Sequence, residues 1–245
     1  MKKFGFILIM LVFGTVAKVS AQSRTEFLLE KGWKFTREDD PQFRLPSYDD
    51  GKWQSVTVPH DWAIYGPFSA KNDVQEVAIT QDGQEKAMEH AGRTGGLPFV
   101  GTGWYRLNFQ VPGFAKGKKV ALIFDGTMSH PQVYLNGTKV GEHIGGYTPF
   151  NMEVTSQIKD GENFVVVKVD NKRTAGGVPT LNCDWFNFGG ITRDVMLVEV
   201  PQTYISSYYV QLKKGSKDTL TGYVKMDGAV ASHKVQLEIP GLRIK

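Results

Sequence analysis

The sequence is poor in several things, and each shortage excludes a class. One cysteine, Cys183, rules out a disulfide framework and a Cys-rich zinc site. No phosphate-binding loop, HExxH pair or Ser nucleophile elbow occurs, so the usual short catalytic motifs are missing. The five His, at 60, 90, 130, 143 and 233, are scattered without metal-ligand spacing, so neither a metal nor a cofactor is expected. No apolar run reaches the roughly 20 residues that a membrane-spanning helix needs. No repeat period suggests collagen, a coiled coil or a solenoid. The length of 245 residues leaves no room for a sandwich together with a (β/α)₈ barrel, which alone takes roughly 250.

What is present begins with an address. Lys2 and Lys3 precede the apolar run Phe4 to Val16, and Val19-Ser20-Ala21 is a small-residue cleavage site. This is the pattern of a secretory signal peptide, residues 1–21, cleaved after Ala21. The expected location is secreted or periplasmic. Removing 21 of the 245 residues takes Lys2, Lys3 and Lys18 from the 29 basic residues and leaves all 25 acidic ones. The mature charge is then close to neutral, which gives no reason to expect nucleic acid or an anionic membrane as partner.

The mature chain reads as short strands between Gly and Pro turns. Trp104 to Val111 alternates and stops at Pro112-Gly113. Val120 to Phe124 is a continuous apolar run, as in a strand buried on both faces. Gln132 to Leu135 leads into Asn136-Gly137 and then Thr138 to Val140, the strongest hairpin signal in the chain. Val56 to Val58, Phe164 to Val169 and Asp194 to Val200 complete the series. The expectation is an all-β fold: a jelly-roll antiparallel β-sandwich over residues 22–201. Two stretches break the rhythm, 66–103 and 171–190, and loops that long are functional or disordered. After Pro201 the texture changes. Tyr204 to Leu212, Leu220 to Met226 and Val235 to Ile239 look like new strands, read as the start of an immunoglobulin-like β-sandwich over 202–245.

Two clusters could carry chemistry. In Pro59-His60-Asp61-Trp62, Asp61 beside an aromatic suits sugar hydroxyls, or else forms a structural corner that satisfies loop amides. In Asp184-Trp185-Phe186-Asn187-Phe188 an acid sits beside three aromatics in an irregular loop, either as a ligand contact or as a plug for the sandwich edge. Arg193 is expected in an ion pair with Asp194 or anchored to backbone carbonyls. Asn136-Gly137-Thr138 matches a glycosylation sequon, although the hairpin turn accounts for it.

Several segments align in order with one family: Gly32-Trp33-Lys34-Phe35, Val58-Pro59-His60-Asp61-Trp62, Gly101 to Arg106, Phe124-Asp125-Gly126, Val133 to Gly137, Gly145 to Phe150, Val169-Asp170-Asn171, and Trp185 with Phe188 to Val195. Over residues 25–200 the chain resembles the N-terminal sugar-binding domain of glycoside hydrolase family 2, most like secreted β-galactosidases of the Bacteroides type. The resemblance implies a jelly roll packed beside a catalytic barrel. That barrel would carry both catalytic carboxylates, so no catalytic residue is expected in this chain. It also implies that Asp184 reaches into the active site and binds sugar hydroxyls, with Trp185 beside it. Asn72 is the nearest match to an accessory Asn, and 93–98 would line the same site. The implied partners are a galactoside-like carbohydrate and the missing barrel. A homo-oligomer is left open. The alternative is a stand-alone, non-catalytic carbohydrate-binding module.

Overall fold

A computed structural model describes residues 24–111, 117–228 and 234–236. Residues 1–21, the expected signal peptide, lie outside the described residues, as do 237–239 of the expected last strand. Val235 and Gln236 are described and carry no regular structure.

The strands in chain order are β1 (Thr25–Leu28), β2 (Trp33–Thr36), β3 (Gln54–Val56), β4 (His60–Asp61), β5 (Gln75–Val77), β6 (Met88–His90), β7 (Thr102–Val111) and β8 (Lys118–Phe124). There follow β9 (His130–Leu135), β10 (Thr138–Glu142), β11 (Phe150–Glu153), β12 (Gly161–Asp170), β13 (Gly190–Ile191), β14 (Val195–Pro201), β15 (Tyr204–Leu212) and β16 (Leu220–Asp227). One helical turn, α1 (Trp62–Tyr65), follows β4.

A four-stranded sheet runs β1-β14-β8-β11 and a six-stranded sheet runs β10-β9-β12-β7-β2-β3. Every strand pair is antiparallel. Alternation decides the inner faces. Val120, Leu122 and Phe124 of β8 and Val165, Val167 and Val169 of β12 point into one core with Trp33, Phe35, Tyr105 and Leu197. Full burial of such a side chain stabilises the fold by about 1.5–3 kcal/mol. The result is the expected all-β jelly-roll sandwich.

The strands buried on both faces are β12 and the first half of β7, not β8. Ala121 and Ile123, on the outer face of β8, are only half buried. Val166 of β12 sits in a second small core with Phe43, Trp53, Trp104 and Tyr134. The segment between β2 and β3 lies over this outer face. Arg106 anchors it, donating to Asp50 at 2.8 Å and to the Leu45 carbonyl at 3.0 Å.

The Asn136-Gly137 turn joins β9 to β10, with φ of 51° and 84° at its two residues. The Asn136 amide donates at 2.8 Å to both the Gln157 carbonyl and Asn163 Oδ1, so the sequon nitrogen is spent on structure. Among the described residues, strands β15 and β16 pair only with each other. Their register places Tyr208, Val210 and Leu212 on one face with their cross-strand neighbours Val224 and Leu220, and this apolar face is exposed, Tyr208 at 72% and Leu212 at 55%.

Candidate functional site

The two irregular stretches meet at one end of the sandwich. Residues 66–103 form an ordered excursion containing the small β5–β6 ladder, where no strand is expected from the sequence. Residues 171–189 lie against it. Asn171 begins the join: its Oδ1 accepts from the Gly101 amide at 2.8 Å, and its Nδ2 donates to the Phe99 and Phe188 carbonyls. Buried Asn187 donates to the Asn171 carbonyl at 2.8 Å. Asp73, fully buried, pairs with the Arg173 guanidinium and accepts from Thr94 Oγ1 at 2.6 Å. Arg93 donates to Gln75 Oε1 at 2.9 Å and to the Asn182 carbonyl at 3.1 Å. Gln75 donates to the Cys183 carbonyl at 2.9 Å.

These last bonds position the tip. The carbonyls of Asn182 and Cys183 are held by side chains of the other loop. The next two residues, Asp184 and Trp185, then project outward, Asp184 exposed and Trp185 60% exposed. Phe186 turns back and packs on the main core, with Phe188 at 5.1 Å between ring centroids. The edge-plug role thus falls to Phe186 alone of the three aromatics. Tyr147 lies near the same tip. Its phenol is held above the usual range, first by burial and then by nearby Cys183. An exposed carboxylate beside an exposed indole can accept from sugar hydroxyls and cover an apolar sugar face.

The other expected contacts stand elsewhere. Asn72 spends its amide on the Pro67 and Leu97 carbonyls, at 3.3 and 3.2 Å, and so braces the excursion. Asp61 caps α1. Its Oδ1 accepts from the Ala63 and Gly189 amides, each at 2.9 Å, while β4 pairs with β13. Burial raises the Asp61 carboxyl pKa, opposed by those two amides. Its corner role follows from these bonds. Beside it, buried His60 meets the Tyr105 hydroxyl at 2.8 Å, and its pKa is lowered to about 4, first by burial and then by Arg37. Arg193 is anchored to carbonyls, those of Asp125 and Tyr147.

Gln75, Asp73 and Arg173 were not singled out from sequence, and Arg93 stood there only within the 93–98 stretch expected to line the site, whereas here it braces the loop. Gln75 and Cys183 are 108 positions apart, and nothing local marks such a pair. Asn171, just past β12, had a signal only as the last residue of the Val169-Asp170-Asn171 segment of the resemblance.

Fold and loops together define a β-sandwich sugar-binding module. The chain belongs to the glycosyl hydrolases of family 2, whose sugar binding domain matches residues 29–201. Among curated proteins, it is 29% identical over 211 residues to a putative beta-glucuronidase of Formosa agariphila, covering 86% of this chain and 23% of that protein. It is 30% identical over 201 residues to the beta-galactosidase BoGH2A of Bacteroides ovatus, covering 82% of this chain and 21% of that protein. Among solved structures, the Bacteroides uniformis beta-glucuronidase aligns with a TM-score of 0.63 at 27% identity, over 82% of this chain and 22% of that one. The chain thus spans about a fifth of the length of these relatives.

Proposed function

We propose that the chain is the sugar-contacting module of a secreted retaining glycosidase acting on β-galactosides or β-glucuronides. Asp184 orients sugar hydroxyls and Trp185 covers a sugar face. The observation that carries this reading is the outward projection of Asp184 and Trp185 from a loop whose preceding carbonyls are pinned by Gln75 and Arg93. The relatives' names supply the two substrate classes.

Hydrolysis with retention needs an acid/base and a nucleophile about 5–5.5 Å apart across the bond. In this reading both belong to a catalytic barrel outside these 245 residues. Positioning by Asp184 lowers a barrier that those groups must still cross. Exposed apolar side chains of the two loops, Phe68 and Leu181 among them, are candidates for the face that would meet the barrel. The β15–β16 hairpin would open an immunoglobulin-like second domain.

The test is an assay of the purified chain with chromogenic β-galactoside and β-glucuronide, alongside sugar binding to wild type and Asp184→Ala. The expected result is no turnover, with weak binding that Asp184→Ala reduces. Turnover by the chain alone would overturn the division of labour. Binding that Asp184→Ala leaves unchanged would overturn the role of Asp184.

A further inference from the structure

A cavity of about 370 Å³ lies beside the Asp184 loop, lined by Asp61, Tyr65, Tyr147, Phe188, Thr192 and Arg193 among others. That volume falls within the roughly 300–1,000 Å³ of small-molecule sites. Both accessible backbone amides at Asp61 converge on Oδ1, which leaves Oδ2 without a partner among the described residues. The two bonds fix the carboxylate, so Oδ2 is a stationary acceptor at the cavity wall. Arg193 is held in a similar way. Its Nη1 donates to the Asp125 and Tyr147 carbonyls, while its Nε and Nη2 make no hydrogen bond among the described residues.

Two anchored aromatic rings complete the wall. Tyr65 is 68% exposed yet stacks on buried His60, with 5.6 Å between ring centroids and 13° between planes. Phe188 is 38% exposed and leans on Phe186. A fixed acceptor, a fixed donor and wet aromatic faces around one cavity match a single chemistry. A pyranose offers hydroxyls that both donate and accept, and C–H faces that rest on rings. An apolar docking groove would have no use for the carboxylate and guanidinium.

We propose that this cavity is a second saccharide subsite, separate from the Asp184 tip, which takes one pyranose residue between Tyr65 and Phe188 with its hydroxyls on Asp61 Oδ2 and Arg193. The proposal rests on reading the chain as a carbohydrate-binding module, but not on the role of Asp184.

Ligand-detected saturation-transfer NMR on the purified chain, with methyl β-galactoside and methyl β-glucuronide as probes, tests it. Tyr65→Ala and Phe188→Ala remove exposed rings. Asp61→Asn keeps the Oδ1 cap and replaces Oδ2 by a donor. Each is expected to weaken binding at least tenfold while Tm and near-UV circular dichroism stay native, and Asp184→Ala is expected to leave this component in place. Should Asp61→Asn unfold the chain, the two aromatic variants carry the test. Binding indifferent to Tyr65 and Phe188 but abolished by Asp184→Ala would overturn this subsite and leave the Asp184 reading standing. Binding sensitive to the rings and indifferent to Asp184 would do the reverse. No binding of either probe to the wild-type chain would overturn the subsite.

Discussion

The side-chain amide of Gln75 donates to the carbonyl of Cys183 at 2.9 Å, joining two loops whose residues are 108 positions apart. Gln75 is also the acceptor for Arg93, so one buried side chain serves both the carbonyl before Asp184 and the guanidinium that holds Asn182. Replacing it leaves one donor and one acceptor without partners.

Gln75→Ala is therefore expected to destabilise the chain by about 1–3 kcal/mol, the cost of unpaired buried polar groups. The larger effect should be local. Hydrogen exchange of amides in 176–186 should accelerate well beyond the change elsewhere. Uniform acceleration across the sandwich would show that Gln75 does not position the tip.

The Asp73–Arg173 pair offers a stronger cut. Side-chain exposure is 0% and 7%, so removing the cation strands a buried carboxylate. Arg173→Met should cost about 3–5 kcal/mol. Asp73→Asn in the same chain should recover part of that loss, because the stranded charge is gone. Urea unfolding of the single and double variants measures both, and a double variant no better than Arg173→Met would refute the charge argument.

His60 makes the fold sensitive to acid. Its pKa falls to about 4 in the folded chain against an ordinary value of 6.5. The unfolded chain therefore binds the proton first. The contribution of neutral His60 is fully present above about pH 6.5 and is lost progressively as pH falls toward 4. The urea midpoint of wild type should drop across that window. In His60→Gln the starting stability is lower, because the Tyr105 contact changes, but the slope over pH 6.5–4 should be shallower. Equal slopes would exclude His60 as the titrating group.

Gly190 sits where β13 meets β4, at φ +116°. A Cβ there would lie 2.2 Å from the Tyr105 hydroxyl and 2.6 Å from the His60 carbonyl oxygen. Gly190→Ala should cost about 3 kcal/mol through strain and collision, or roughly 6–12 °C in Tm for a chain of this size. Calorimetry decides it, and a shift below about 2 °C would mean that the corner yields freely.

Much of this was written locally. Alternation in Trp104 to Val111 and the Asn136-Gly137 pair specify strands and a turn, because side-chain periodicity and tolerance of positive φ are properties of a few adjacent residues. An acid next to aromatics in a Gly-bounded loop marked Asp184 and Trp185 for the same reason. The sequence alone therefore determined the all-β class, the position of the two long loops and the residues at the tip. Other features depended on distant partners. Val166 is buried because residues between β2 and β3 fold over the outer face, so β12 rather than β8 is covered on both sides. Asp61 Oδ1 is committed to the Gly189 amide, 128 residues away, leaving only Oδ2 for a ligand. Phe186 and Trp185 are neighbours of similar chemistry, yet one enters the core and the other faces solvent. That division came from the tertiary structure, because burial depends on what packs against a side chain, and Phe186 meets the main core, Phe188 and Gly96 of the other loop.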